Sequence, residues 1–433
     1  MRVGMVSATY DPSVVNGAVR MVTLYKRHLE ALGHEVIIFA LGDAQLEDRA
    51  AGIVRSPGIR LGDYGYFFSM GYSREAQQLL SQMDVVHCHH LFMSVELAHR
   101  YARCPIVYTN HTRYDLYTGA YMPLPQPAAD AIMRQLWPEF TDFADAVIAP
   151  SESVRQLMIE FGVRAPTVVI ENGIELEPFL HPHRPRGKAA FGLNDADFLF
   201  MYAGRLSSEK NLTNLLEQFA VACQVLPNLH LALLGKGPQE TELRQRAADL
   251  AIDDCVHFAG IVPFDEVGDW LAAADAFVTA STSEVHPLTV IEAMAAGKPV
   301  AAVVSPGIVD TIVPGITGYT PSSPDGLDAA FVALAANPER ARQMGAAARE
   351  ASQRFDIRRT VARTVELYEE LLTTRPDLAR VHEHGRWLRR TEKWAEMLDQ
   401  LAQLAWPADD GTETVPRRWL QSAITSSRRS HDE

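Results

Sequence analysis

The chain has 433 residues, 47% of them hydrophobic and 22% charged, which are the proportions of a folded protein of two or three domains. Forty Lys and Arg against 54 Asp and Glu give a formal charge of -14, which excludes a general affinity for nucleic acid; any polyanion must be met by a local group of cations. No stretch nears the roughly eighteen uninterrupted apolar residues of a membrane span, and Cys88, Cys104, Cys223 and Cys255 are too scattered for a C-x-x-C pair, so the expectation is a cytoplasmic protein with reduced, core-facing thiols.

Taken in chain order, short β-branched runs alternate with helical stretches. Val3–Ser7, Glu35–Phe39, Asp84–Cys88, Ile106–Thr109, Ala146–Ala149 and Val168–Ile170 read as six near-continuously apolar strands, as buried parallel strands are. Between the first two, Val19, Val22, Tyr25, Leu29 and Leu32 keep one helical stripe over Ala18–Leu32, and Gly33 supplies the stop. His181-Pro-His-Arg-Pro-Arg-Gly187 breaks the pattern and reads as a linker over 181–187. Strands at Phe198–Ala203, His230–Leu234, Val256–Ala259, Ala276–Thr279 and Val300–Val304 follow, with helices at Leu212–Val225, Glu240–Leu250 and Leu288–Ala296. The expected fold is α/β: two facing, doubly wound Rossmann-like domains, 1–180 and 188–357, with a helix over 358–375 ending the second. Ligands of such pairs bind in the cleft between them.

Beyond Pro376 the composition changes. Arg386-Trp-Leu-Arg-Arg-Thr-Glu-Lys-Trp394 puts Trp387 and Trp394 seven apart on one helix face among Arg389, Arg390 and Lys393. The tail, 376–433, reads either as an interfacial helix for a membrane or partner, or as a helix packed on the body and followed by a disordered end.

Neither G-x-G-x-x-G nor G-x-x-x-x-G-K-[ST] is present. Instead the first strand opens into Thr9-Tyr-Asp-Pro-Ser-Val-Val-Asn-Gly17, where Gly17 precedes a helix and lets backbone approach an anionic group. In the second half, Gly204 and Arg205 follow a strand and Lys210 precedes a helix; two cations five apart on a strand-to-helix loop suit a diphosphate. Ser283-Glu-Val-His-Pro-Leu-Thr-Val-Ile-Glu292 gives Glu-x7-Glu across a helix start at Pro287. The amides of Leu288 and Thr289 suit a phosphate there, and Glu284 and Glu292 suit sugar or ribose hydroxyls. His87-Cys-His-His90 alternates His87 and His89 onto one strand face, a pattern open to metal binding or to a ligand cleft. Asp195-Ala-Asp197 lies in a polar turn and reads as an entry loop rather than a metal site.

Over about its first 375 residues the chain resembles the retaining GT-B glycosyltransferases of family 4. Five features carry the likeness: Asn16-Gly17 after the first strand, His111-Thr in Tyr108-Thr-Asn-His-Thr-Arg-Tyr114, Glu171-Asn-Gly-Ile-Glu175, Gly204-Arg-x4-Lys210 and Glu284-x7-Glu292. The resemblance implies that Arg205 and Lys210 hold the diphosphate of a nucleotide-sugar, that Gly17 closes over it, that Glu284 meets the sugar and Glu292 the ribose. It implies that His111 sits beside the reacting sugar, that His87 and His89 line the acceptor side with Tyr10, and that Gly237 and Ile261 add donor contacts. It further implies a metal-independent reaction with no cofactor, the nucleotide-sugar being a co-substrate. His111-Thr-Arg-Tyr-Asp-Leu-Tyr117 is similar to a segment of bacterial diacylglycerol glucosyltransferases and their mannosyl relatives, which puts Tyr114 and Tyr117 on the acceptor side and implies a membrane lipid acceptor and peripheral attachment to the inner face of the membrane. Asn110 and the long Gly119–Pro127 loop depart from that segment, so a soluble or polysaccharide acceptor, or a sugar-nucleotide-binding protein with a degenerate site, stays open, as do UDP against GDP and the oligomeric state.

Overall fold

The computed structural model describes residues 1–11, 16–61, 66–69, 71–116 and 125–374. The chain divides into two compact units, Met1–Arg113 with Arg134–Leu378, and Tyr114–Met133 with Ala379–Glu433. In the smaller unit, Gln126 at the start of helix Gln126–Thr141 donates from Nε2 to the Asp115 carbonyl at 3.1 Å and to Asp130 at 2.6 Å. The tail tryptophans and Tyr117 lie outside the described residues.

The larger unit holds two parallel sheets. In chain order the strands of its first half are β1 (Arg2–Ser7), β2 (Glu35–Leu41), β3 (Ile53–Ser56), β4 (Ile59–Leu61), β5 (Tyr66–Phe68), β6 (Val85–Cys88), β7 (Ile106–Thr109), β8 (Ala146–Ala149) and β9 (Thr167–Val169). Seven of them form one sheet in the order β3-β2-β1-β6-β7-β8-β9, and β4 and β5 pair separately as an antiparallel ribbon. The second half gives β10 (Phe198–Ala203), β11 (Leu229–Leu234), β12 (Val256–Gly260), β13 (Ala276–Thr279), β14 (Val300–Ala302) and β15 (Gly318–Tyr319), in the order β12-β11-β10-β13-β14-β15. The strands expected from apolar runs are all present. Those not anticipated, β3, β4, β5 and β15, are edge or ribbon strands of two to four residues. The run at Val300 ends two residues early because Val304 is already exposed on the way out of the sheet.

In both sheets the winding reverses once, between β1 and β6 and between β10 and β13, and such a reversal opens a crevice beyond the carboxyl ends of the strands. Helix Gly17–Ala31 covers the first sheet, with Asn16 capping it by accepting from the Ala18 amide at 2.9 Å. The last described helix, Ile357–Thr374, belongs by sequence to the second half but packs on the first. Tyr25 and Thr364 hydroxyls meet at 3.2 Å, and the Tyr368 hydroxyl lies 2.7 Å from Nδ1 of His87 in β6. Its path back is fixed at Gly173, whose neighbour Ile174 exchanges backbone hydrogen bonds with the 355–357 segment.

Two outcomes follow. A Cβ at Gly173 would fall 2.5 Å from the Ile357 Cα and 2.8 Å from its amide nitrogen, so the backbone must move; Gly173→Ala is expected to cost about 1–3 kcal/mol in urea unfolding. His87, His89, His90 and His286 are buried, and burial holds His87 and His286 down to about 3, His90 to about 4 and His89 well below its ordinary value. The unfolded chain takes up protons near pH 6.5 while the folded one does not. The stability is therefore full above that pH and lost as pH falls toward the folded values, by up to about 1.4 kcal/mol per histidine per pH unit. A urea midpoint unchanged between pH 7 and pH 5 would contradict this.

Candidate active site

The motif residues of the second half gather at the carboxyl ends of β10, β11 and β13. β10 runs straight into Gly204 and Arg205, and the Tyr202 hydroxyl donates to the Arg205 carbonyl at 2.9 Å, fixing the turn. The next residues form a one-turn 3-10 helix, Ser208–Lys210, ended by Asn211 in a left-handed conformation. That turn aims Lys210 at the loop after β13, where its Nζ donates to Oε1 of Glu284 at 2.8 Å with both side chains mostly covered. Burial works against the Lys210 charge, but Glu284 and its neighbours outweigh it and lift the pKa above its ordinary value; burial likewise pushes Glu284 up, and Lys210 more than offsets this and holds it below the usual carboxylate range. Both groups are thus charged over the whole working pH range.

Helix Leu288–Ala295 starts four residues after Glu284. Pro287 precedes it in extended conformation, no side chain caps it and no acidic residue sits in its first turn, so the amides of Leu288 and Thr289 carry the uncompensated positive end of the helix. Gly237 lies on the loop after β11, where a Cβ would come within 2.1 Å of the Leu206 carbonyl oxygen; its lack of a side chain lets the β10 and β11 loops touch. Ile261 follows β12 and is 63% exposed. Glu292, one turn into the helix, is only 1% exposed and is paired with Arg20 of helix Gly17–Ala31, an ion pair that the sequence reading missed. The two partners are 272 residues apart, and no local spacing announces them.

On the first-half side, Gly17 is exposed, and a Cβ there would meet nothing within 4 Å, so its own fold does not demand a glycine. Beyond β6 and β7 the histidines stack. The rings of His87 and His89 lie 4.2 Å apart, His89 Nδ1 is 3.0 Å from His111 Nε2, and the rings of His89 and His111 are nearly parallel. Burial pushes His111 down to about 3, so its ring is neutral at working pH. His87 has both nitrogens engaged, by Tyr368 and by Thr109 at 2.6 Å, and is fully buried behind the stack. Tyr10 is also buried, with its hydroxyl 3.1 Å from that of Thr23. Neither is itself open to a ligand, and His89 is as covered as His87. Among the described residues no three His, Cys, Asp or Glu side chains converge as a metal site. Asp197 accepts from the Asn194 amide at 2.8 Å within its own turn. Tyr114 belongs to the smaller unit.

Contacts between the two halves close the larger unit beside these groups. Ser151 Oγ donates to the Val285 carbonyl at 3.3 Å, the Ser153 amide to Asp310 at 2.8 Å, and Asn172 Nδ2 to the His286 carbonyl at 3.3 Å. The loop that carries Glu284 is therefore held from the first half as well as from its own sheet.

The family model described as Glycosyltransferase Family 4 matches residues 15–178, and the one described as Glycosyl transferases group 1 matches residues 184–351. The alpha-monoglucosyldiacylglycerol synthase of Streptococcus pneumoniae is 32% identical over 317 residues, covering 70% of this chain and 71% of that protein. The enzyme of the same name from Acholeplasma laidlawii is 30% identical over 319 residues, covering 69% and 79%. Among solved structures, Anabaena HepE in complex with UDP superposes with a TM-score of 0.69 at 20% identity, over 86% of this chain and all of that one, a likeness that speaks for the fold. With two parallel sheets, the paired motif residues at their carboxyl ends and relatives at this level of identity, the chain belongs to glycosyltransferase family 4 and is a glycosyltransferase of GT-B fold.

Proposed function

We propose that the protein moves a hexose from a UDP- or GDP-linked donor to the hydroxyl of a lipid acceptor of the diacylglycerol type, with retention at the anomeric carbon and without a metal. The observation that carries this reading is the Lys210–Glu284 pair at 2.8 Å: a half-buried cation and a half-buried carboxylate at the carboxyl ends of adjacent strands, where a diphosphate and a sugar would meet. The names of the two relatives, both diacylglycerol glycolipid synthases, and a fold neighbour whose complex holds UDP support the acceptor and the donor. Domains of 1–180 and 188–357, linked over 181–187, fit the extent of the two family-model matches.

In this reading the donor diphosphate lies against Arg205, Lys210 and the amides of Leu288 and Thr289. As the anomeric C–O bond breaks, the leaving diphosphate gains negative charge, and preorganised cations and amides stabilise it without reorganising. The sugar turns oxocarbenium-like, and the Glu284 carboxylate, ionised by its lysine, is at hand for its hydroxyls. His111, neutral and braced by His89, takes part as a hydrogen-bonding group beside the sugar rather than as a cation. The acceptor hydroxyl enters from the first-half side, where His111 lies at the end of β7. Among the described residues no helix is long and apolar enough to cross a membrane, and we take the chain to meet its lipid at the inner membrane face from the cytoplasmic side.

Purified protein is expected to release UDP or GDP from the matching nucleotide-hexose and to form glycolipid on vesicles containing diacylglycerol; turnover only on soluble acceptors would replace the lipid reading, and no turnover on any donor would leave a nucleotide-sugar-binding protein. Lys210→Ala and Glu284→Ala are each expected to lower kcat by about 10²–10³-fold while circular dichroism stays native. A rate near that of the unmodified protein in either variant would remove that residue from the site.

A further inference from the structure

Glu292 is a carboxylate in a place where carboxylates do not stay charged unaided. It is 1% exposed, and burial pushes its pKa up. Arg20 is the charged group that works against this. The elements packed on its helix bring no other: β13 and β14 carry no charged residue, Arg349 of helix Pro338–Ser352 donates instead to the Leu180 carbonyl, Glu177 of helix Glu177–Leu180 faces His181, and Lys298 donates to the Ala272 and Ala274 carbonyls.

The pair is only half used. Arg20 reaches Glu292 through Nη1 alone, and its Nε and Nη2 are buried with no hydrogen-bond partner. Among the described residues no hydrogen bond engages the second carboxylate oxygen of Glu292. The guanidinium is held flat by the face of Phe264, its Cζ 3.7 Å from the ring centroid, so its direction is set by packing as well as by charge. A buried ion pair kept for stability alone satisfies its donors, because unpaired ones cost desolvation without return. Here one carboxylate oxygen and two guanidinium nitrogens of a single ion pair are left without a partner. A vicinal diol fits that set: one hydroxyl donates to the unpartnered carboxylate oxygen, and the two hydroxyl oxygens accept from the two guanidinium N–H groups.

We infer that Arg20 is a donor-binding residue that reaches across from the first half, aligning Glu292 and gripping with it the ribose diol of the donor nucleotide between carboxylate and guanidinium. This rests on the reading of Glu292 as a donor-facing group. It makes nucleotide binding a joint act of both halves of the larger unit, since the diol bridges a helix of one and a helix of the other.

The test is calorimetric binding of UDP, GDP and 2′,3′-dideoxy-UDP to the full chain and to Arg20→Met, Arg20→Lys and Glu292→Gln, between pH 5 and pH 8. Arg20→Met keeps the packing on Phe264 and removes the charge. It is expected to weaken UDP about 10-fold or more at neutral pH while leaving the dideoxy nucleotide unchanged. The pH at which UDP affinity is half lost is expected to rise by about one to three pH units, because Glu292 then lacks its cation and needs a higher pH to ionise. Arg20→Lys restores the charge and brings that pH back, and in the Glu292→Gln background Arg20→Met has no further effect on it. If Arg20→Met binds UDP as the unmodified protein does, with the same pH dependence, the inference fails while the donor-site reading stands. If the unmodified protein binds neither UDP nor GDP, the donor-site reading fails and takes this one with it.

Discussion

A parallel sheet must be covered on both faces, and that one requirement decides where this protein keeps its polar chemistry. The central strands are buried along their length, so the helices that cover the sheets occupy the sides, and loops have only the strand ends left to them. β1, β6, β7 and β8 are covered over nearly all of their residues, as are β10 and β13. The candidate groups, Arg205, Lys210 and Glu284 from one sheet and His111, backed by the buried His89, from the other, therefore lie at the carboxyl ends, beside the two points where the winding reverses. The same requirement explains helix Ile357–Thr374. The first sheet needs more apolar cover than its own helices supply, and the chain returns to provide it, laying Thr364 and Tyr368 against Tyr25 and His87.

The electrostatics follow from that burial. A charge at a covered strand end survives only with a partner, and each charged candidate residue whose contacts are described in full has one: Lys210 with Glu284, Glu292 with Arg20. The pairs differ in reach. Lys210 and Glu284 both belong to the second half, so that pair is complete within one sheet and its loops. Arg20 and Glu292 join the halves, so that pair exists only while the halves are together. Charge at the first can be permanent, whereas charge at the second depends on conformation, a distinction that residue type and exposure alone do not reveal.

Much of this was legible in the chain. Apolar runs of four to seven residues mark the central strands, because a buried parallel strand needs side chains of one kind on both faces, and β8, β10 and β13 fall where the runs predict to the residue. Gly204-Arg-x4-Lys210 and Glu284-x7-Glu292 were legible because each lies on one strand-to-helix loop, where spacing in sequence becomes spacing in space. What escaped is what sequence spacing does not encode. β3 and β15 sit at sheet edges and need no continuous apolar run. His87 and His89 alternate as a strand dictates and are both buried, but only the returning helix, 281 residues away at Tyr368, engages His87, while His89 meets His111. Arg20 carries no motif of its own; its meaning comes from a helix that the second half presents to it.

The formal charge of -14 takes on a different sense in this light. Its acidic excess lies mainly beyond residue 174, with a net of -4 before that point and -10 after it, and the second half is also where the proposed diphosphate is to be held. An anion approaches an acidic body only if the local field is reversed, and fields in a low-dielectric pocket are set by the nearest few groups rather than by the sum. Many of the acidic side chains are exposed or paired on the surface, as with Glu240 and Arg244 or Glu339 and Arg342, where solvent screens them. Arg205, Lys210 and the uncapped start of helix Leu288–Ala295 stand where screening is weak. The overall sign discourages nucleic acid and other extended polyanions, which would have to lie across the acidic surface, while a compact diphosphate at the proposed site would answer to the few groups at the strand ends rather than to the sum.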